Sequence, residues 1–376
     1  MTQQPTSQSP YPTNKIQQEV QRNLGQTIGQ MYDSQALSVQ EVREGGVFVA
    51  GNVIFQNSRA GSVQPTLYRA EREPPSLLPY LANRSEQEFE LGKALQKFLK
   101  QIPLRPLVCV IHGDEFQSHD KFLERLQKLS LPRLLGFDFN QTVVKEYPLH
   151  WPSGLKNLDE LSERLCKNLA DSVLGRSFAS LEDINEIFCK YPAPIIIHTH
   201  LLTEDWQQQG AEILNKLLEF WQNWPELSPD QKLIICLSIK YQVKRRSNSE
   251  KPGFRWLLSC WTIFFRQHGC RRTNKKIQQQ IEALATSDLK RFTHLSLIAL
   301  SELTNISRMH VENWVRDEAT KQFVGEEMIE RLIDAVREMF DSWEEKTSSN
   351  TIPMDDLADN LTHLLKSLTV TRRKLA

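Results

Sequence analysis

Three runs of apolar residues, each too short for a helix and too uniform for a half-exposed strand, set the frame for this chain. They are Leu107-Val-Cys-Val-Ile111, Ile195-Ile-Ile-His198 and Lys232-Leu-Ile-Ile-Cys-Leu-Ser-Ile239. A strand that is apolar on both faces has to be covered on both faces, which points to a parallel sheet between helices. Helical periodicity fills the intervals: Glu86 to Gln101, Asp120 to Leu129, Asn157 to Leu174, Leu181 to Tyr191, and about Thr203 to Trp221. A further strand is expected at Leu134-Leu-Gly-Phe-Asp-Phe139. The expected fold class is therefore α/β, a mostly parallel sheet flanked by helices.

Other segments read differently. Residues 1–84 are rich in Gln, Ser, Thr and Pro and poor in bulky aliphatics, so they are expected to form a largely disordered low-complexity linker region. Within it, Gly45 to Phe55 is a β-prone patch bounded by glycines, and residues 45–56 are the place for one short hairpin; a linker with transient structure is the preferred reading. Residues 85–300 are assigned to the α/β core, 301–345 to a helical extension, and 346–376 to a C-terminal helix with a basic tail. In the extension, Ser307 is placed to N-cap a helix running to Asp317. Gly325 to Phe340 carries an apolar stripe of Met328, Ile329, Leu332, Ile333, Val336 and Phe340, which is expected to pack on the core, as are Trp256, Trp261, Phe264 and Phe265. The last helix, Asp355 to Leu368, follows a polar break; packing on the core is the preferred reading of such stripes, and of these helices it is the one best placed to contact a partner.

Composition narrows the function. Lys plus Arg and Asp plus Glu each total 46, so no net charge draws the chain to nucleic acid or membrane. The basic runs at Lys244–Arg246, Arg271–Lys276 and Arg372–Lys374 lack interleaved aromatics and read as solvated surface. Six scattered cysteines without a C-x-x-C pair suit a reducing cytoplasm, and His268-Gly-Cys270 lacks a second pair at ligand spacing. No signal peptide and no apolar run of membrane-spanning length is seen, so a cytoplasmic protein is expected.

The strand Leu107–Ile111 followed by His112-Gly-Asp-Glu-Phe-Gln and a helix has the shape of a phosphate-binding loop. A working loop reads G-x-x-x-x-G-K-[ST], in which the second glycine lets the backbone wrap the phosphates, the lysine neutralises them and the hydroxyl holds magnesium. Counted from Gly113, those three positions hold Ser118, His119 and Asp120, while Asp114 and Glu115 bring negative charge to the same place. Lys121 comes one residue late, about 100° around the helix. The strand Ile195–Ile197 ends in His198-Thr-His200, with no carboxylate before Glu204 and Asp205 to hold magnesium. No catalytic residue, cofactor or metal ligand is assigned. If a site survives, it is the cleft at the carboxyl ends of the strands, with His112, Lys121, His198 and His200 as candidates alongside His119. Structural histidines are the preferred reading of that group, with a metal site or an acid–base pair as the alternatives.

These motifs, Val110-Ile-His-Gly-Asp-Glu-Phe-Gln-Ser-His-Asp through Leu126, Ile-Ile-Ile-His-Thr-His200, and Leu300-Ser-Glu-Leu-Thr-Asn-Ile-Ser through Val315, resemble the inactive STAND (iSTAND) domain. The resemblance is drawn over roughly residues 85–345. It implies a P-loop NTPase-like core without ATP-binding residues, in a non-catalytic bacterial signalling or conflict protein that scaffolds protein partners. An atypical nucleotide binder without hydrolysis, or a histidine-dependent metal hydrolase, are the alternatives.

Overall fold

The computed structural model describes residues 47–50, 53–56, 73–101, 104–136, 143–155, 157–191, 193–243, 270–284, 292 and 295–375. Most of the N-terminal low-complexity region, Trp256, Trp261, Phe264, Phe265, His268 and the Lys244–Arg246 run lie outside them. The chain divides into two units, Met1–Leu67 and Tyr68–Ala376.

In the first unit, β1 (Val47–Ala50) and β2 (Val53–Gln56) pair antiparallel, with Val47 opposite Gln56 and Ala50 opposite Val53. Their Val, Phe and Ile residues suit a pleated surface.

The second unit is built on a five-stranded, wholly parallel sheet. Its strands are β3 (Leu107–Asp114), β4 (Lys145–Pro148), β5 (Ile195–Leu202), β6 (Leu233–Tyr241) and β7 (Ser296–Ala299), in the order β4-β5-β6-β3-β7. The chain leaves β3 for the far edge, returns through β5 and β6, and then steps over β3 to β7. The connections thus reverse direction beside β3, where open α/β sheets place their ligands at the carboxyl ends of the strands.

Side-chain alternation sorts the core into two layers. Val108, Val110, Ile195, Ile197, Ile235 and Leu237 face one side. They are covered by α3 (Leu161–Leu174), α4 (Leu181–Cys189), α6 (Glu212–Gln222) and α7 (helical over 270–284), through Leu165, Phe188, Leu217 and Ile281 among others. Leu107, Cys109, Ile111, Ile196, Ile234 and Cys236 face the other side. There they meet Leu91, Leu95 and Phe98 of α1 (Ser85–Phe98) and Phe122, Leu123 and Leu126 from the segment that begins with α2 (His119–Arg125). The central strands have both faces dry, as their unbroken apolar sequence requires.

Two features depart from the sequence reading. The strand expected at 134–139 is absent from its described part: Leu131–Leu134 is helical and the chain turns at 135–136, while 137–139 lie outside the described residues. Leu134 and Leu135 are apolar because they pack beside the core, and the strand at this place in the chain is β4. The helical segment Thr203–Trp221 is two helices, α5 (Thr203–Gln209) and α6, separated at Gly210, whose φ of 76° favours glycine. The helix that starts at His119 widens into a π turn over Leu126–Ser130 just before Pro132. A proline there has no N–H for the regular ladder and crowds the carbonyl one turn back, which a wider turn accommodates.

Residues 73–84 belong to this second unit. Leu77, Leu78 and Ala82 are buried, so the boundary expected at 84/85 falls inside a packed segment. Trp314 Nε1 donates to the Leu78 carbonyl at 2.9 Å and ties this segment to the C-terminal helices. Those helices are α8 (Arg308–Val315), α9 (Glu318–Val324), α10 (Ile329–Thr347) and α11 (Met354–Leu375). A two-residue antiparallel clasp, β8 (Ile306–Ser307) with β9 (Thr351–Ile352), fixes where α11 begins. The Met328 to Phe340 stripe is buried as expected. Ser307 occupies the N-cap of α8, but its hydroxyl pairs with His310 Nδ1 at 2.9 Å and makes no backbone cap.

Candidate functional site

β3 delivers the chain to Asp114, residues 115–118 turn, and α2 begins at His119. Ser118 stands in the left-handed region at φ 53°, ψ 48°. This is the position of the second glycine in a working phosphate loop, and a non-glycine residue there costs on the order of 1 kcal/mol.

Three backbone donors of the loop are engaged within the protein. Glu115 N–H donates to the Tyr241 carbonyl at 2.9 Å, Phe116 N–H to Asp114 Oδ1 at 2.9 Å, and Gln117 N–H to the Asp114 carbonyl at 3.2 Å. The Gln117 side-chain amide donates to Asp114 Oδ2 at 3.1 Å and to Asn305 Oδ1 at 2.7 Å. The Ser118 hydroxyl donates to the Asp355 carboxylate, and the Asp355 N–H donates to the Phe116 carbonyl at 3.0 Å. Asp114 thereby supplies from within the chain an acceptor that a phosphate oxygen supplies elsewhere.

Other segments close over the loop. Leu303 N–H donates to the His112 carbonyl at 2.7 Å, and a β-carbon on Gly113 would lie 2.6 Å from the Leu303 carbonyl oxygen. Gly113 is therefore required here by the close approach of residue 303. Arg84, only 2% exposed, donates from Nη1 to the Thr304 carbonyl at 2.8 Å and from Nη2 to Gln117 Oε1 at 2.9 Å. Burial lowers its guanidinium pKa to about 10, with the charge of Arg125 adding to the effect and Asp114 opposing it.

Strand parity divides the histidine cluster expected at the strand ends. His112 shares the face of Val108 and Val110, whereas His198 and His200 share the face of Ile196. Both His112 ring nitrogens are engaged: Nδ1 pairs with the Tyr241 hydroxyl at 2.8 Å and Nε2 with the Leu300 carbonyl at 2.9 Å. On the other face, His119 is 1% exposed and pairs through Nε2 with the Asp114 carbonyl at 3.1 Å. Burial lowers its pKa to about 3, helped by the nearby Lys240 charge. His198 Nε2 lies 3.0 Å from Glu146 Oε1, and burial with the neighbouring His200 lowers its pKa to about 4. His200 Nε2 lies 3.0 Å from Asp120 Oδ1. That hydrogen bond, with the Lys240 charge, holds the Asp120 carboxyl well below the ordinary range against the opposing effect of burial.

Two candidates are placed apart from this cluster. Lys121 turns away to pair with Glu124 at 2.8 Å and lies over the Tyr80 ring. The cation beside the start of α2 is instead Lys240, 3.3 Å from Asp120 and level with Gly113 in the parallel register. His198–Glu146 and His200–Asp120 are two separate pairs, and among the described residues no three of His, Cys, Asp or Glu are arranged to hold a metal ion. Asp205, which follows Glu204 just after β5, accepts from the Leu202 N–H at 2.9 Å and caps α5.

Residues 79–239 match the family model for inactive STAND, iSTAND. Over this segment the chain is similar to inactive STAND domains. The match reaches from the Leu78–Leu81 turn through β6 and covers less than half of the 376 residues. It ends before the Leu300–Val315 motif, so the resemblance drawn from sequence over 85–345 is narrower than expected at its carboxyl end. None of the curated proteins matches the chain.

Among solved structures, the Aeropyrum pernix ORC1 protein in complex with DNA is 11% identical, over 80% of this chain and 64% of its own length, with a TM-score of 0.35. Drosophila ORC bound to DNA is 9% identical over 93% of this chain and 70% of that one, with a TM-score of 0.35. The Aeropyrum pernix ORC2 protein is 10% identical over 76% and 68%, with a TM-score of 0.33. Likenesses this loose carry nothing about what this chain binds.

Among the described residues no helix is long and apolar enough to cross a membrane.

Proposed function

We propose that this chain is a non-catalytic scaffold of a bacterial signalling or defence system, in which the iSTAND domain works through protein contacts. The observation that carries this reading is the state of the loop: the N–H groups of residues 115–117 are all donated within the protein, and Ser118 is joined to Asp355. A triphosphate would have to displace those bonds and sit beside Asp114, Glu115 and Asp355. Like charges a few ångströms apart in a partly dry site repel by several kcal/mol, on the order of 4 kcal/mol per pair at 4 Å. Lys240, the cation beside the start of the helix, is already paired with Asp120. Of the carboxylates that follow β5, Asp205 is engaged in capping a helix. The signalling or defence setting is supported by the family resemblance, and the protein-docking role by the absence of net charge that would favour nucleic acid.

The test is turnover. Purified full-length protein given magnesium with ATP or GTP is expected to release phosphate no faster than buffer. Release that saturates with nucleotide and disappears in a Lys240→Ala variant would sink the proposal and establish an active site built on Lys240.

A further inference from the structure

The last helix does more than pack. Its first turn reaches the phosphate loop, where the Asp355 carboxylate accepts from the Ser118 hydroxyl and the Asp355 N–H donates to the Phe116 carbonyl at 3.0 Å. These residues are 237 positions apart in sequence for the side-chain contact, so this is a tertiary junction and not a local turn. The helix is docked unevenly. Met354, Leu357, Ala358, Leu361 and Leu365 are buried, whereas Lys366, Ser367, Val370 and Thr371 are exposed. It packs on the Leu78–Leu81 turn, α9 and α10, so its apolar stripe is satisfied only along the half next to the loop.

The junction also carries internal opposition. Asp355 lies among the carboxylates of Asp356, Asp359 and Asp114, each of which disfavours its charge. Its favourable partner is the Ser118 hydroxyl, on a residue that holds a left-handed backbone without being glycine. A contact made of a good hydrogen bond, crowded carboxylates and a strained loop residue is suited to open locally while the sheet stays folded. The chain on either side of it is constructed for that. The β8–β9 clasp pins residues 351–352, and Ser348, also left-handed at φ 57°, separates the clasp from α10. Opening therefore pivots at a fixed point and leaves α10 in place.

We propose that α11 is a latch whose first turn occupies the phosphate loop where a nucleotide sits in active relatives, so that docking and release of this helix is the switch the domain carries. The latch rests on the reading that the loop serves no triphosphate, and it adds what the loop holds instead. The loop and the helix then open as one unit: releasing Asp355 frees the Ser118 and Phe116 ends of the loop and exposes the Leu357–Leu361–Leu365 stripe.

Hydrogen exchange on the full-length protein tests this, comparing wild type with Asp355→Ala and Ser118→Ala. Loss of a hydrogen bond to a charged group is expected to speed exchange of the coupled amides by about tenfold or more. The expected pattern is faster exchange at 354–366 and at 115–119 together, in both variants, with Leu107–Ile111 and Leu233–Ile239 as protected as in wild type. Faster exchange of the helix alone would make Asp355 a helix-end charge and overturn the latch. An equal rise in the core strands would make the contact a part of global stability, and no change would make it idle; either result also overturns the proposal. Nucleotide plays no part in this readout, so its failure leaves the closed-loop reading standing, and nucleotide binding by wild type would refute that reading separately.

Discussion

Glu88→Gln is expected to lower the stability of the second unit by about 3–5 kcal/mol, the usual cost of removing one partner from a buried ion pair. Glu88 on α1 and Arg125 at the end of α2 are 12% and 10% exposed, and they meet in a two-pronged contact of 2.9 and 3.0 Å. The Ser130 hydroxyl also donates to Glu88, and Arg133 stands 3.9 Å away. Arg125 continues to the Asn83 carbonyl at 2.5 Å and the Tyr80 carbonyl at 3.2 Å. Burial alone pushes the Glu88 carboxyl up, but the charge and hydrogen bonds of Arg125 outweigh it and leave the pKa below the ordinary value. Gln keeps the shape and removes the charge, which strands a buried guanidinium. The check is the urea midpoint at an unchanged denaturant slope. A loss under about 1 kcal/mol would place the pair in the class of exposed salt bridges. A Glu88→Leu/Arg125→Met double variant is expected to recover most of the loss, because the pair is costly to break and not itself a large source of stability.

Acid is the second large lever. His119 titrates at about 3 and His198 at about 4 in the folded protein, both held down first by burial. In the unfolded chain each returns to about 6.5, so between these values the unfolded state binds more protons and stability falls as pH falls. The histidine contribution is complete above about pH 6.5. At pH 5 His119 alone costs roughly 2 kcal/mol, at 1.36 kcal/mol per pH unit, and His198 adds in the same direction. Carboxyls raised by burial, such as Asp317, Glu302 and Asp355, work the other way, because they take up protons first in the folded state. The histidine term is isolated by comparing urea midpoints at pH 7 and pH 5 for wild type and His119→Gln. The variant is expected to lose distinctly less stability over that interval. Equal pH dependence in the two proteins would show that His119 is solvated in the fold.

Parts of this architecture were legible in the sequence for identifiable reasons. β3, β5 and β6 announce themselves because both of their faces are dry, so nothing polar interrupts them. β7 does not, since all four of its residues are only half-buried at the sheet edge. β4 alternates half-buried and exposed residues, Lys-Glu-Tyr-Pro, and no apolar run marks it; Leu134–Phe139 attracts the strand assignment because its leucines are apolar for a different reason. Of the site, the departures at Ser118, His119 and Asp120 can be counted from Gly113. What fills the loop cannot, because Arg84, Leu303 and Asp355 arrive from three distant parts of the chain. The split between His112 and the His198–His200 pair was within reach of the period-two rule once the strands were aligned. Lys240 was too, as the residue level with Gly113 on the neighbouring strand.

In the proposed function, the loop from Gly113 to Asp120 is closed by the chain itself and serves no nucleotide. Its most direct test is the melting temperature of the full-length protein with and without millimolar ATP or GTP and magnesium. No change in Tm is expected with either nucleotide. A ligand held only by the folded state at about 100 times its Kd adds about 2.7 kcal/mol, a rise of several degrees, and a saturable rise of that size would contradict it.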